Sequence, residues 1–105
     1  MNYYHRTNAV EAIIRDGFRD AEGSYMHVGI TLRGVWISDV PLDGNSGAKG
    51  NQLFEVTFSP DFDISEYELI EEEKPYREWC VPAEVVNSHA SVRLVSKDEE
   101  WDLPF

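Results

Sequence analysis

One short amphipathic helix near the start, followed by brief segments of strand character, limits this chain to a small set of folds. Asn8 is a good N-cap residue, and Glu11 stands three positions later, as in a capping box. Gly17 is placed to end the helix in a left-handed conformation. The apolar side chains around these signals recur at helical spacing: Val10, Ile13, Ile14 and Phe18. The sequence therefore predicts one well-defined N-terminal helix.

After this helix, apolar and polar residues alternate over short runs, which is the pattern of β-strands. Gly34 to Val40 is the clearest run, with Val35 and Ile37 on one face and Trp36 and Ser38 on the other. The other predicted strands are Tyr3–Arg6, Leu53–Phe58, Ile64–Glu71, Glu78–Val81 and Val92–Val95. Several short strands with little helix predict an α+β domain with a bent, mostly antiparallel sheet.

The segments between these strands are rich in turn residues or have no clear pattern. Asp20 to Ser24 is predicted as a turn, while Tyr25 to Thr31 fits either a strand or an ordered loop. Pro41 to Gln52 is predicted as a loop from its Gly, Asn and Asp content. Pro82 is predicted to start a short helical turn through Val86. With 105 residues, the chain 1–105 is expected to form one domain.

The charge balance excludes one class of partner. The chain has 20 acidic and nine basic residues, which gives a formal net charge of −11. Such a surface repels a phosphate backbone, so general nucleic-acid binding is not expected. The charge fits either plain solubility or docking on a basic partner protein, as a non-enzymatic inhibitor would do.

Cysteine, histidine and apolar content indicate a soluble protein without a metal. A single cysteine, Cys80, favours a reducing compartment, so the cytoplasm is expected. No apolar run approaches the roughly 18 residues of a membrane span, and no signal peptide is evident. Cys80 and the histidines (His5, His27 and His89) have no metal-ligand spacing, so no metal site is predicted. The oligomeric state stays open.

Three segments, in their order along the chain, resemble a known family. They are Tyr4 to Thr7 before the helix that ends in Gly17 and Phe18, Gly34 to Ser38, and Glu78 to Val81. They are similar to the aromatic-His-Gly-Ser/Thr, Gly-Ile-Tyr-Phe and Glu-Tyr-Ile-Val segments of the ADP-ribosyltransferases, in the branch of poly(ADP-ribose) polymerase and diphtheria toxin. The resemblance runs from residue 4 to about residue 95 and implies a small ADP-ribosyltransferase-like fold.

The resemblance implies a pocket in which NAD is bound as a substrate. His5 would hydrogen-bond the nicotinamide ribose, and the Arg6 backbone and Thr7 hydroxyl would hold the carboxamide. Trp36 would stack on the nicotinamide ring, and Ser38 is assigned to the same binding set.

Glu78 and His5 would be the catalytic residues of this pocket. Glu78 would bind the ribose 2′-hydroxyl and stabilise the positive charge that develops as the glycosidic bond breaks. Two residues depart from the family pattern. Arg6 stands where the family has glycine, and Trp36 replaces a tyrosine, which keeps a stacking surface and loses a hydroxyl.

The implied activity is NAD-dependent mono-ADP-ribosylation of a protein target, which could be a basic protein. An NAD glycohydrolase would need the same His5 and Glu78. An RNA 2′-phosphotransferase on the same fold is disfavoured because the chain offers few basic residues for RNA. The alternative from another class is the non-enzymatic acidic protein that blocks a basic partner. The setting, whether toxin, phage effector or housekeeping factor, is open at this point.

Overall fold

A computed structural model of the chain describes residues 2–25, 30–41, 52–70, 75–96 and 99. Over these residues the chain forms two α-helices, α1 (Val10–Asp16) and α2 (Ala83–His89), and one 3-10 turn at Ser65–Tyr67. The strands over the same residues are β1 (Asn2–Thr7), β2 (Ala21–Tyr25), β3 (Ile30–Ser38), β4 (Gln52–Phe58), β5 (Glu68–Leu69), β6 (Glu78–Val81) and β7 (Ala90–Val95).

The strands form one antiparallel sheet. The strand order is β5-β6-β3-β1-β4-β7, and β2 pairs with β3. β1 therefore lies in the middle of the sheet, between β3 and β4. The predicted class, an α+β domain with a mostly antiparallel sheet, is confirmed.

Alternation along the strands gives the sheet two different faces. The core face carries the buried apolar side chains, among them Tyr3, Val35, Ile37, Phe54, Val56, Phe58, Trp79 and Val81. Val10 of α1 and Val86 of α2 belong to the same buried cluster. The Tyr3 ring meets Trp79 edge to face, with ring centroids 4.8 Å apart. The helices and the core face thus form the hydrophobic core.

The opposite face of the sheet is more polar. Its residues on the central strands include Tyr4, Arg6, Trp36, Ser38, Leu53, Glu55, Glu78 and Cys80. Most of these are half-buried, whereas Ser38 and the apolar Leu53 are buried. The prediction that Val35 and Ile37 share one face while Trp36 and Ser38 share the other agrees with this arrangement.

The boundaries of α1 only partly follow the predicted capping signals. The N-cap position is Ala9, whose methyl group cannot accept a hydrogen bond, and the helix starts at Val10. The Thr7 hydroxyl accepts the Ala9 N–H at 2.9 Å. Gly17 ends the helix as predicted, but its φ of 83° and ψ of 177° differ from the predicted left-handed helical conformation; its N–H donates to the Ile13 carbonyl at 2.8 Å. This backbone region is essentially open to glycine alone.

Two predicted local structures were wrong, each for a specific reason. The predicted turn at Asp20–Ser24 is largely replaced by β2, because pairing with β3 stabilises a segment of low strand propensity. The predicted strand at Ile64–Glu71 starts as the 3-10 turn instead and leaves only β5 as strand. The Asp63 carboxylate accepts the Ser65 N–H at 2.8 Å, and this local bond favours a turn.

Long-range hydrogen bonds attach α2 to the segment that follows α1. α2 continues to His89, beyond the predicted end at Val86. The Asp20 carboxylate accepts the Ala83 N–H at 2.8 Å, at the start of α2. The Asn87 amide accepts the Phe18 N–H at 2.8 Å and donates to the Phe18 carbonyl at 2.9 Å. These bonds hold Phe18 against the core behind β1.

Most of the predicted loop Pro41–Gln52 lies outside the described residues, and so does His27. Within the described ranges, no helix combines the length and the apolar character needed to cross a membrane.

Candidate ligand-binding site

Three neighbouring strands carry the residues that the sequence singled out. β6, β3 and β1 follow one another in the sheet. Ser38 of β3 pairs with Tyr4 of β1 on one side and with Glu78 of β6 on the other. Side chains in such directly opposed positions have Cβ atoms roughly 5 Å apart. The three segments of the resemblance are therefore adjacent in space.

Four of the six predicted site residues share the opposite face of the sheet. Glu78 and Ser38 form a cross-strand pair, and Trp36 lies two residues from Ser38 on the same strand face. Arg6 lies two residues from Tyr4 on β1, so alternation places it on the same face. We call Arg6, Trp36, Ser38 and Glu78 the Trp36 patch. It combines a guanidinium, an indole, a hydroxyl and a carboxylate.

His5 and Thr7 lie on the core face, so the structure does not bring their side chains together with the Trp36 patch. β1 pairs with β4 residue by residue along its whole length, without a bulge, and His5 is opposite the core residue Phe54. Regular alternation then sends His5 and Thr7 to one face and Arg6 to the other. The resemblance had grouped these three neighbours in one pocket.

His5 is held inside the protein by two contacts. Its Nδ1 lies 2.8 Å from the Trp36 carbonyl oxygen, and its ring meets the Phe18 ring edge to face, with centroids 5.2 Å apart. Since a carbonyl only accepts, Nδ1 must carry the hydrogen. Burial lowers the pKa of His5 below its usual value, and the bond to Trp36 offsets part of this effect. His5 is therefore a neutral imidazole at neutral pH.

Thr7 has a local structural role in the fold. It is only 8% exposed, and its hydroxyl accepts the Ala9 N–H at the entrance to α1. This hydroxyl supports the turn between β1 and the helix, as Ser and Thr often do at such positions.

Trp36 is the least satisfied polar side chain of the site. The side chain is half-buried, and its Nε1 atom is buried without a hydrogen-bond partner among the residues described. Buried indole N–H groups usually have an acceptor, and an unsatisfied donor costs about 1–3 kcal/mol. The indole thus combines a partly exposed ring with a buried N–H that has no acceptor in the described chain.

Hydrogen bonds hold the end of the Trp36 patch at Ser38 in place. The Ser38 hydroxyl donates to the Val40 carbonyl at 2.6 Å, and Ser38 is only 3% exposed. Beyond the Ser38–Glu78 pair, the Arg77 N–H donates to the Asp39 carboxylate at 2.9 Å, and the Asp39 N–H donates to the Arg77 carbonyl at 3.1 Å. These bonds fix the strand ends that present Ser38 and Glu78.

An ion pair between Glu68 of β5 and Arg77, the residue before β6, also holds this strand end. The Arg77 guanidinium makes two hydrogen bonds to the Glu68 carboxylate, at 2.8 and 2.7 Å. It also lies over the Trp79 ring, 5.0 Å from the centroid. These hydrogen bonds lower the pKa of Glu68, so the pair stays ionised at neutral pH.

Tyr4 and Cys80, which lie on this face beside the Trp36 patch, were not assigned to the site from the sequence. Tyr4 pairs with Ser38, and Cys80 pairs with Trp36. Strand alternation was the signal that could have found them, since Tyr4 precedes Arg6 by two and Cys80 follows Glu78 by two. Burial raises the pKa of the Cys80 thiol and of the Tyr4 hydroxyl, so both are protonated at neutral pH. Cys80, predicted to be buried, is half-buried.

The comparisons with known proteins give no family for this chain. No protein-family model, curated protein or solved structure matches it. In the described part of the chain, no cluster of three or more His, Cys, Asp or Glu side chains is arranged to hold a metal ion.

Proposed function

We propose that the chain is an NAD-dependent ADP-ribosyltransferase with a small ADP-ribosyltransferase-like fold, which modifies a protein target, and that the Trp36 patch binds NAD. The observation that carries the proposal is the convergence of Arg6, Trp36, Ser38 and Glu78 on one sheet face from three adjacent strands. Alternation along β3 accounts for Trp36 and Ser38, and the pairing of β1 and β6 with β3 adds Arg6 and Glu78 to the same face.

The chemistry of the patch fits the parts of NAD. An indole face suits the flat nicotinamide ring, and Trp36 is half-buried, so part of its side chain is exposed. The Arg6 guanidinium supplies positive charge for the pyrophosphate on an otherwise acidic chain. Glu78 supplies a carboxylate for the ribose hydroxyl and for the cationic carbon.

The proposed reaction breaks one bond and forms one. The bond between the nicotinamide nitrogen and ribose C1′ breaks, and its electron pair leaves with neutral nicotinamide. The developing positive charge on the ribose is stabilised by the Glu78 carboxylate. A side-chain nucleophile of the target protein forms the new bond to C1′, and its proton passes to solvent. Water in place of that nucleophile would give NAD hydrolysis.

Calorimetry with NAD and an assay of nicotinamide release test the proposal. We expect Glu78→Gln to bind NAD and to lower nicotinamide release by about a hundredfold, because the amide keeps the shape and loses the charge. Glu84→Gln is the matched control, since Glu84 is exposed on α2 away from the patch. Equal release by the Glu78→Gln protein and the wild type would remove Glu78 from the reaction.

Trp36 gives an independent test of the binding site. We expect Trp36→Ala to weaken NAD binding by about tenfold or more, because base stacking on an aromatic ring contributes about 1–3 kcal/mol. Trp36→Phe keeps a ring and loses the N–H, so it should weaken binding less. If the wild-type chain neither binds NAD nor releases nicotinamide, the enzyme proposal fails. Salt-sensitive association with a basic protein would then favour the non-enzymatic alternative.

A further inference from the structure

His5 links the hydrophobic core to the proposed site through a main-chain atom. The imidazole lies on the core face, whereas the Trp36 side chain lies on the opposite face. Even so, His5 Nδ1 is 2.8 Å from the Trp36 carbonyl oxygen. β1 and β3 pair at Tyr4 and Ser38, and one residue further along β1 this imidazole joins the two strands. The Trp36 peptide is thereby held by a side chain from the neighbouring strand.

The imidazole is itself held on its other side. Phe18 meets it edge to face at 5.2 Å, and the Phe18 ring contacts Phe54 at 6.1 Å. The Phe18 main chain is fixed by two hydrogen bonds with the Asn87 amide, which accepts from the Phe18 N–H and donates to the Phe18 carbonyl. A continuous series of contacts therefore runs from α2 through Phe18 and His5 to the peptide that carries Trp36.

From this geometry we propose that His5 is a positioning residue, which orients the Trp36 indole through the Trp36 carbonyl and does not touch the ligand. The inference rests on the proposed function for the identity of the ligand, NAD. It differs from the role that the family resemblance implied, in which His5 bonds the nicotinamide ribose. The indole has no hydrogen bond of its own among the described residues, so its orientation depends on its backbone and on packing.

Two substitutions separate positioning from other roles. His5→Asn keeps an N–H donor at the position of Nδ1, whereas His5→Leu keeps a comparable volume and removes the donor. The first readout is the indole ¹H–¹⁵N signal of Trp36, identified as the signal that disappears in Trp36→Phe. We expect this signal to move in the His5→Leu protein and to stay close to its wild-type position in the His5→Asn protein.

The second readout is the kinetic split. We expect His5→Leu to raise KM for NAD by about tenfold, the effect of one lost hydrogen bond, while kcat changes by less than about twofold. His5→Asn should restore most of the KM. Should His5→Leu fail to fold, His5→Met replaces it, because it also fills space and removes the donor.

The failures of the two proposals can be told apart. An unmoved Trp36 indole signal in the donor-free variant overturns the positioning role, whatever the activity. A fall in kcat as large as that of Glu78→Gln, with KM unchanged, also overturns it, because His5 would then contact the reacting atoms. A wild-type chain that does not bind NAD overturns the proposed function, and the indole readout then still decides whether His5 orients Trp36.

Discussion

The two faces of the sheet are built from the same strands but serve different purposes. On the core face, rings such as Tyr3 and Trp79 are buried and pack edge to face. On the opposite face, Arg6, Trp36 and Glu78 are half-buried and polar or amphipathic, and one indole N–H lacks a partner within the described chain. The core face is filled by apolar packing, whereas the opposite face carries the residues of the proposed binding site. A difference of one position in a strand decides which role a residue has.

The largest expected effect compares the two tryptophans. Trp79 is 2% exposed, and Trp79→Ala should lower the free energy of unfolding by about 3–5 kcal/mol, through lost burial and a cavity. Trp36→Ala should cost less than half of that, because Trp36 is half-buried and its N–H is already unsatisfied. Urea denaturation of both variants measures the difference. Equal losses would mean that the opposite face is a second core, and the proposed binding site would lose its basis.

A smaller effect is expected at Gly34, where β3 lies close to β6. A Cβ on Gly34 would lie 2.8 Å from Cys80 Sγ and 2.9 Å from the Val81 carbonyl oxygen. Gly34→Ala should therefore destabilise the fold by about 1–3 kcal/mol, as overpacking generally does.

The double variant Gly34→Ala with Cys80→Ala sharpens this comparison, with Cys80→Ala alone as its control. It should recover only part of the loss, since the Val81 carbonyl remains in place. Thermal unfolding of the three proteins gives the coupling between the two sites. Full recovery would show that the sulfur alone limits the approach of β3 to β6.

The smallest effect is a pH dependence that His5 confers from the core face. Its pKa is lowered by burial, so below about pH 6.5 the unfolded chain takes up a proton that the folded chain resists. The stabilisation that comes from keeping His5 neutral is complete above that pH, and it is lost as the pH falls towards the lower pKa of His5 in the folded chain. The free energy of unfolding should therefore fall between pH 7 and pH 5.5, and less steeply in the His5→Gln protein. Parallel curves would mean that His5 is not buried as a neutral group.

Much of the fold could be predicted because its signals are local. The end of α1 at Gly17 and the strand at Glu78–Val81 depend on residues next to one another, and both are confirmed. β2 was missed because its residues have low strand propensity and are stabilised by pairing with β3. The hydrogen bond from the Ala83 N–H to the Asp20 carboxylate joins residues far apart in the sequence, so no local pattern could indicate it.

The site could be predicted only as far as strand membership. Trp36 and Ser38 were correctly placed on one strand face from their alternation. The resemblance grouped the neighbours His5, Arg6 and Thr7 in one pocket. In a regular strand, however, His5 and Thr7 face one side of the sheet and Arg6 faces the other. The identity of the neighbouring strands, which brings Glu78 opposite Ser38, depends on sheet topology.

The hydrogen bonds between Asn87 and Phe18 also bear on how the protein folds. They join residues 69 positions apart, and they hold Phe18, whose ring contacts the His5 ring. Chains whose contacts span such distances generally fold in milliseconds to seconds, because long loops must close before the contacts form. Until α2 docks, Asn87 cannot hold Phe18, and the His5 ring lacks its support on that side. The structural support of Trp36 therefore depends on contacts between distant parts of the chain.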